Sequence, residues 1–274
     1  MNQITMRVLK TVEEMQLVQQ LEQTVWGMEA IPVHQTLTAV KNGGLIIGAF
    51  DEEKLVGFSY GFAGYQNNEA YLCSHMLGIH PDYQLQGIGK KLKEEQLVVA
   101  KEMGYKLITW TFDPLESRNA YLNVSKLYGI VDTYIENCYG EMTGGINAGL
   151  PTDRLQIEWW ITSDRVEKKW MPSNIIFDNP FQTALTEQNL PILEEPESFD
   201  PTHKGYEVPV PQQFQVMKKI SPETALQWRL QIRKIIQTLF SKGYALVAVR
   251  KTDEPVNYYQ FVQRSTIPIQ TEEN

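Results

Sequence analysis

Cysteine is nearly absent: Cys73 and Cys138 are the only two among 274 residues. That excludes a disulfide framework and a four-thiolate metal site, and it suits a reducing cytoplasm. Free cysteines ordinarily serve as small core residues, and Cys73 falls inside an apolar strand-like run, so neither a catalytic thiol nor a bound metal is expected. Long hydrophobic runs are missing too. The longest, such as Leu45 to Phe50, fall far short of the roughly 20 residues that span a bilayer. No secretory h-region follows Met1. Positive charge is scarce: 25 Lys and Arg stand against 33 Asp and Glu, a formal net charge of -8. The basic residues form no long run, which argues against nucleic acid and anionic membrane as partners. No short-period repeat or low-complexity tract occurs.

What is present is enough apolar sequence for one good core or two modest ones. Thr11 to Trp26 places Val12, Met15, Leu17, Val18, Leu21 and Val25 near helical spacing, with Thr11 suited to the N-cap. Gly44 to Phe50 and Leu55 to Phe62 are β-prone runs around the polar turn 51–54, which predicts a hairpin. Ala70 to Ile79 reads as a third strand stopped by Pro81. A helix from Lys90 to Met103 closed by Gly104, and a strand from Lys106 to Thr111, follow. Asn119 to Leu127 reads as a short helix, the glycine-rich tract Tyr139 to Pro151 as a shaped loop, and Leu155 to Thr162 as a strand. Between Pro172 and Lys204 prolines, acids and amides erase any period, so a linker or an extended wrapping segment is expected. Beyond it come a possible strand at Tyr206 to Val210, a helix opened by Pro222 and ended by Gly243, and a hairpin from Tyr244 to Arg250 and Tyr258 to Val262.

The segment with chemistry is Leu72-Cys-Ser-His-Met-Leu-Gly-Ile-His-Pro-Asp-Tyr-Gln-Leu-Gln-Gly-Ile-Gly-Lys-Lys-Leu: strand, Pro-terminated turn, Gly-rich loop, helix. Gly87 and Gly89 let backbone approach a ligand, and free amides at a helix start favour phosphate. The three glycines and downstream acid of a dinucleotide fingerprint, and the Gly-Lys-Ser/Thr of a P-loop, are both missing.

This segment resembles the GNAT superfamily of acyl-CoA N-acyltransferases, whose pattern is strand, Val-x-Pro, then Gln/Arg-x-x-Gly-x-Gly/Ala at a helix start. Ile79-His80-Pro81 and Gln84-Leu-Gln-Gly87-Ile-Gly89 match it, and the likeness covers roughly Met1 to Thr162. It implies an α/β fold with a mixed sheet flanked by helices, followed by a smaller C-terminal α+β unit. The expected division is 1–165 for the acyltransferase part, 166–205 for a Pro- and acid-rich linker, and 206–274 for the C-terminal unit. The resemblance also implies acetyl-CoA or another acyl-CoA as cosubstrate, with no metal. Amides of Leu85, Gln86, Gly87, Ile88, Gly89 and Lys90 should hold its pyrophosphate. Backbone groups at Leu77, Gly78 and Ile79 should pair with pantetheine and polarise the thioester carbonyl, which stabilises a developing oxyanion.

An attacking amine must be neutral, so a general base is required. His75 is the candidate, at the motif offset where the serotonin N-acetyltransferase branch of the family carries a catalytic histidine; that branch's earlier histidine is Cys73 here. The alternative is a packed strand residue. In many members a Tyr protonates the leaving thiolate, and the register puts Val124 at that position, a departure. Tyr121, one turn earlier, or Tyr128, one turn later, would substitute. Gly149-Leu-Pro-Thr-Asp-Arg154 before Glu158-Trp159 resembles a branch with some members associated with N-succinylation of amino acids. Arg154 would then hold an acidic substrate or acyl group; the alternative is a structural Asp153–Arg154 network. Trp110, Trp159, Trp160, Tyr134 and Tyr139 receive no role. The expected partner is a small-molecule amine, with a homodimer left open. The rival reading is a non-catalytic acyl-CoA-binding or regulatory protein of the same fold.

Overall fold

The computed structural model describes residues 4–27, 29–140, 149–194 and 198–269. The chain clusters into two compact units, Met1–Trp110 and Thr111–Asn274. Within the second unit Asp178 bridges to Tyr206, the Arg165 amide donates to the Pro268 carbonyl, and the Trp228 indole donates to the Pro191 carbonyl.

In the first unit, β1 (Thr5–Val8) leads to α1 (Val12–Trp26), α2 (Val33–Lys41), β2 (Leu45–Asp51), β3 (Lys54–Gln66), β4 (Glu69–Ile79), α3 (Ile88–Glu102) and β5 (Leu107–Phe112), which runs across the division point. Helix α1 begins at a capping box. Thr11 accepts from the Glu14 amide, and the Glu14 carboxylate accepts from the Thr11 amide, so the exposed helix donors are satisfied at once. Met15, Val18 and Leu21 then face Phe50, Phe58 and Tyr60 in one core cluster. Strand order is β1-β2-β3-β4-β5, antiparallel except for the β4–β5 pair. On the other face α3 turns Ile88, Leu92 and Ala100 inward. The mixed sheet flanked by helices is the architecture expected. Two elements were not anticipated, β1 and α2, each short. The caps of α3 and of the later helix are Met103 and Lys242; Gly104 (φ 88°) and Gly243 (φ 82°) take the left-handed position just after.

In the second unit, α4 (Ser117–Ala120) passes into a single π-helical stretch, Tyr121–Lys126. There follow β6 (Ile130–Ile135), β7 (Arg154–Trp160), α5 (Asp164–Glu167), β8 (Gln182–Leu185), β9 (Pro191–Glu194), β10 (Gly205–Pro211), α6 (Phe214–Ile220), α7 (Pro222–Ser241), β11 (Tyr244–Arg250) and β12 (Val256–Gln263). Strands order as β7-β6-β11-β12-β10, with β8 and β9 a separate antiparallel pair. The expected C-terminal helix and hairpin are present as α7 and β11–β12. Strand β11 also pairs with β6 at Leu246↔Val131. One buried cation ties this unit together. The Arg165 guanidinium donates to the carbonyls of Tyr128, Trp170, Val124, Gly129 and Val247, and those five acceptors replace the water it loses. No helix among the described residues is long and apolar enough to cross a membrane.

Candidate functional site

After β4 the chain makes one turn of 3-10 helix at Pro81–Tyr83, and the Tyr83 hydroxyl donates to Asp51 at 2.7 Å, fixing the turn against β2. Leu85 then adopts φ 64° with its side chain 87% exposed, and Gly87, the N-cap of α3, adopts φ 77°. A leucine held left-handed and out in solvent is strained without any packing return. No side chain caps α3, so the amides of Ile88, Gly89 and Lys90 keep their donors free of a protein side-chain cap at the positive end of the helix dipole. A Cβ added at Gly87 would meet nothing within 4 Å: the space above these amides is open. Gly89 sits 3.5 Å from the Leu77 side chain, measured from its own Cβ position, which sets this amide cluster beside β4. Lys90 pairs with Glu94 at 2.6 Å.

Strand β4 has two unlike edges. Toward β3 it pairs along its whole length, from Gln66↔Glu69 to Gly57↔Ile79. Toward β5 the register has only two pairs among the described residues, Leu72↔Ile108 and Cys73↔Thr109. Beyond Cys73 the strands part, and the backbone of Leu77, Gly78 and Ile79 has no β5 partner. The β3 side slips by one residue, from Tyr60↔Met76 to Gly61↔Ser74, which makes His75 the extra residue of a β-bulge. Ser74 faces α3, where it meets Lys93; Met76 packs in the cluster on the α1 side. His75, adjacent to Ser74 and so on the opposite face, lies on that α1 side too, where its ring meets Tyr60 at 6.2 Å and Phe62 at 5.7 Å; the bulge is what leaves Met76 on the same side. Partial burial against these rings lowers the His75 pKa below its ordinary value, so the imidazole is neutral at pH 7. Burial also pushes the Cys73 thiol up, which keeps it protonated.

The other sequence candidates lie in the second unit. Tyr121 opens the π-helical stretch, and its ring carries Lys251 Nζ at 4.3 Å and Lys126 Nζ at 5.3 Å from the centroid. Val124, at the position where the family places its Tyr, is fully buried core. Tyr128 has φ 61°. Arg154 donates to the Asp153 carbonyl at 2.8 Å, lies 3.7 Å from the Asp113 carboxylate and stacks on the Tyr139 ring at 5.1 Å. The network anticipated between Asp153 and Arg154 side chains has another cation: the buried Asp153 carboxylate takes Arg233 at 2.8 and 2.9 Å and the Tyr134 hydroxyl at 2.6 Å. Glu158 accepts from Trp160 Nε1 and Arg264, each at 2.9 Å. Of the glycine-rich tract expected as a shaped loop, residues 141–148 lie outside the described residues.

Sequence reasoning passed over Lys93, Asp113, Arg229 and Arg233. Asp113 receives Arg229 at 2.6 Å in a fully enclosed pair. No periodicity marks such partners, since the pair joins positions far apart in the chain. Lys93 had one available signal: it lies on the apolar face of α3 with Leu92 and Gln96, where a lysine is out of place.

Residues 12–122 match the sequence profile of the acetyltransferase (GNAT) family. Among solved structures, the chain is similar to the ribosomal-protein-S18-alanine N-acetyltransferase from Escherichia coli, at 18% identity and a TM-score of 0.46 over 64% of this chain and 100% of that one. It is similar to a chain of the NatC complex bound to Gag peptide and CoA, at 17% identity and 0.45 over 58% and 98%. It is also similar to an IAA acetyltransferase from Bacillus cereus, at 15% identity and 0.42 over 57% and 98%. No curated protein sequence matches.

Proposed function

Since the chain belongs to the acetyltransferase (GNAT) family through residues 12–122, we propose that it transfers an acyl group, acetyl or succinyl, from acyl-CoA to a primary amine of a small molecule such as an amino acid. The observation that carries the reading is the uncapped start of α3 behind Gly87, set beside a strand whose far edge parts from its neighbour. An anionic coenzyme suits these residues, because the space a Gly87 Cβ would fill is open and the helix dipole favours phosphate there. Amides from Leu85 to Lys90 would hold the pyrophosphate. Backbone groups of Leu77, Gly78 and Ile79 would hold pantetheine and the thioester oxygen, along the edge of β4 with no β5 partner. When bound, the acyl-CoA supplies an activated thioester and a thiol leaving group.

The chain's side chains would manage protons and orientation. Neutral His75, on the α1 side of β4, accepts the amine proton at a ring nitrogen. Tyr121 Oη is the proposed proton donor to the leaving sulfur, and Arg154 the proposed partner of a substrate carboxylate. The acyltransferase part is taken as 1–165, longer than the matched segment, with 206–274 helping to shape acceptor choice. The protein is taken to act in the cytoplasm.

A second reading, a non-catalytic acyl-CoA-binding protein, is favoured by one observation: buried Val124 stands where the family places its acid. Calorimetry with CoA, joined to a thiol-release assay with acetyl- and succinyl-CoA over an amine panel, tests both. Binding with turnover supports the enzyme, binding without turnover the second reading, and no binding overturns both.

A further inference from the structure

The two registered pairs of β4 with β5 are Leu72↔Ile108 and Cys73↔Thr109, so the next pair in sequence would be Ser74 with Trp110. That pair does not form, and the side chain standing at the two residues is Lys93. Its Nζ donates to Ser74 Oγ at 2.8 Å and lies 3.6 Å from the centre of the Trp110 ring. Gln96, one turn on in α3, accepts a further bond at 3.1 Å. Lys93 is 5% exposed. Among the described residues its contacts are a hydroxyl, an amide and an aromatic face, with no carboxylate among them; the titratable group facing it is the Cys73 thiol, which is neutral. A buried ammonium without a counter-ion costs several kcal/mol of desolvation, so a lysine here weakens the fold that holds it. Methionine would remove that cost together with the bonds to Ser74 and Gln96.

We propose that Lys93 is a positioning residue for acyl transfer, a strut whose ammonium stands between Ser74 and Trp110 and holds β4 away from β5 at the head of the coenzyme slot. The proposal rests on the acyl-CoA reading given above. Lys93 springs from the helix whose first amides face the phosphates, and it grips the residue before His75, so one side chain links the pyrophosphate cradle to the strand that carries the base. Burial lowers its pKa to about 7, and the cation–π and charge-assisted contacts weaken as the proton leaves. The strut therefore loosens as pH rises through neutrality.

The test is Lys93→Met, with CoA affinity read by calorimetry, KM and kcat by thiol release, and protection of the Ser74 and Trp110 amides by hydrogen exchange. Expected are a melting temperature no lower than wild type and a CoA affinity and acyl-CoA KM each worse by about tenfold, the worth of one charge-assisted hydrogen bond. A smaller change in kcat and slower exchange at Ser74 and Trp110, as the strands close, should accompany them. In a His75→Ala background, wild-type Lys93 should give a CoA affinity that falls as pH rises through about 7, and Lys93→Met should abolish that step. Unchanged affinity and unchanged exchange in folded Lys93→Met would overturn the strut. Should Lys93→Met fail to fold, Ser74→Ala decides on the same readouts, and an unchanged CoA affinity there also overturns it. If the wild-type protein binds no CoA, the acyl-CoA reading falls, while amide exchange still decides whether Lys93 parts the strands.

Discussion

His75 and Met76 are consecutive in β4 yet turn to the same face, because the register with β3 slips by one residue at His75. In an unbroken strand they would alternate, and Met76 would share the α3 face with Ser74. The slip instead leaves Met76 beside His75, whose ring meets Tyr60 and Phe62.

If His75 is the base, His75→Ala should lower turnover by roughly 10²–10⁴-fold with acyl-CoA affinity nearly unchanged. Its pKa is lowered by burial, so wild-type kcat at saturating acyl-CoA should rise with pH through a limb below 6.5 and change little at neutral pH. Loss of that limb in the variant is the specific sign. Equal loss of stability and affinity with the limb intact would assign His75 to packing. Glu158 is a poor replacement, since Arg264 and Trp160 already hold its carboxylate.

Gly87→Val should abolish CoA binding while circular dichroism keeps the wild-type shape. The loop here has φ 77°, which a β-branched residue resists, and its Cβ would stand in the open space above the α3 amides. Gly87→Ala separates the two causes, since it adds the Cβ with less strain. Wild-type calorimetry for the valine variant would remove the phosphate from this loop.

Arg154 and Arg233 should behave differently when cut to Ala. Arg154→Ala should raise KM about tenfold or more for a substrate bearing a carboxylate, and Arg154→Lys should not restore it, because a planar bidentate fork is lost. Arg233→Ala leaves the buried Asp153 carboxylate without its cation and should cost about 3 kcal/mol of stability by urea unfolding. Equal kinetics for wild type and Arg154→Ala on every acyl donor and acceptor would return Arg154 to a structural role.

Truncation after Lys204 removes β11, which pairs with β6, and α7, whose Trp228 is 1% exposed. The shortened chain should bind a hydrophobic dye and lose cooperative melting. A soluble, cooperatively melting fragment would show that residues 206–274 are dispensable to the fold.

Helix α1, the hairpin β2–β3, strand β4, the Pro-terminated turn, the Gly-rich loop and helix α3 were all legible in the sequence. Each rests on local rules: a Thr cap with Glu three residues on, apolar period, and glycines where φ turns positive. Strands β6 and β8 and helix α6 were not, because they are short and draw their order from neighbours. The residues 166–205 carry no period of their own and still pack, with Phe181, Leu190 and Leu193 buried.

By itself, then, the sequence determined the strand–loop–helix unit, the amides it offers and the family it resembles, since backbone donors at a helix start depend on spacing alone. Tertiary structure decided what the side chains face. A one-residue bulge put His75 and Met76 on one face, a parting of two strands freed one edge of β4, and an ammonium came to rest between Ser74 and Trp110. Strand register and the meeting of distant residues are set by packing between elements, and no local pattern along the chain encodes them.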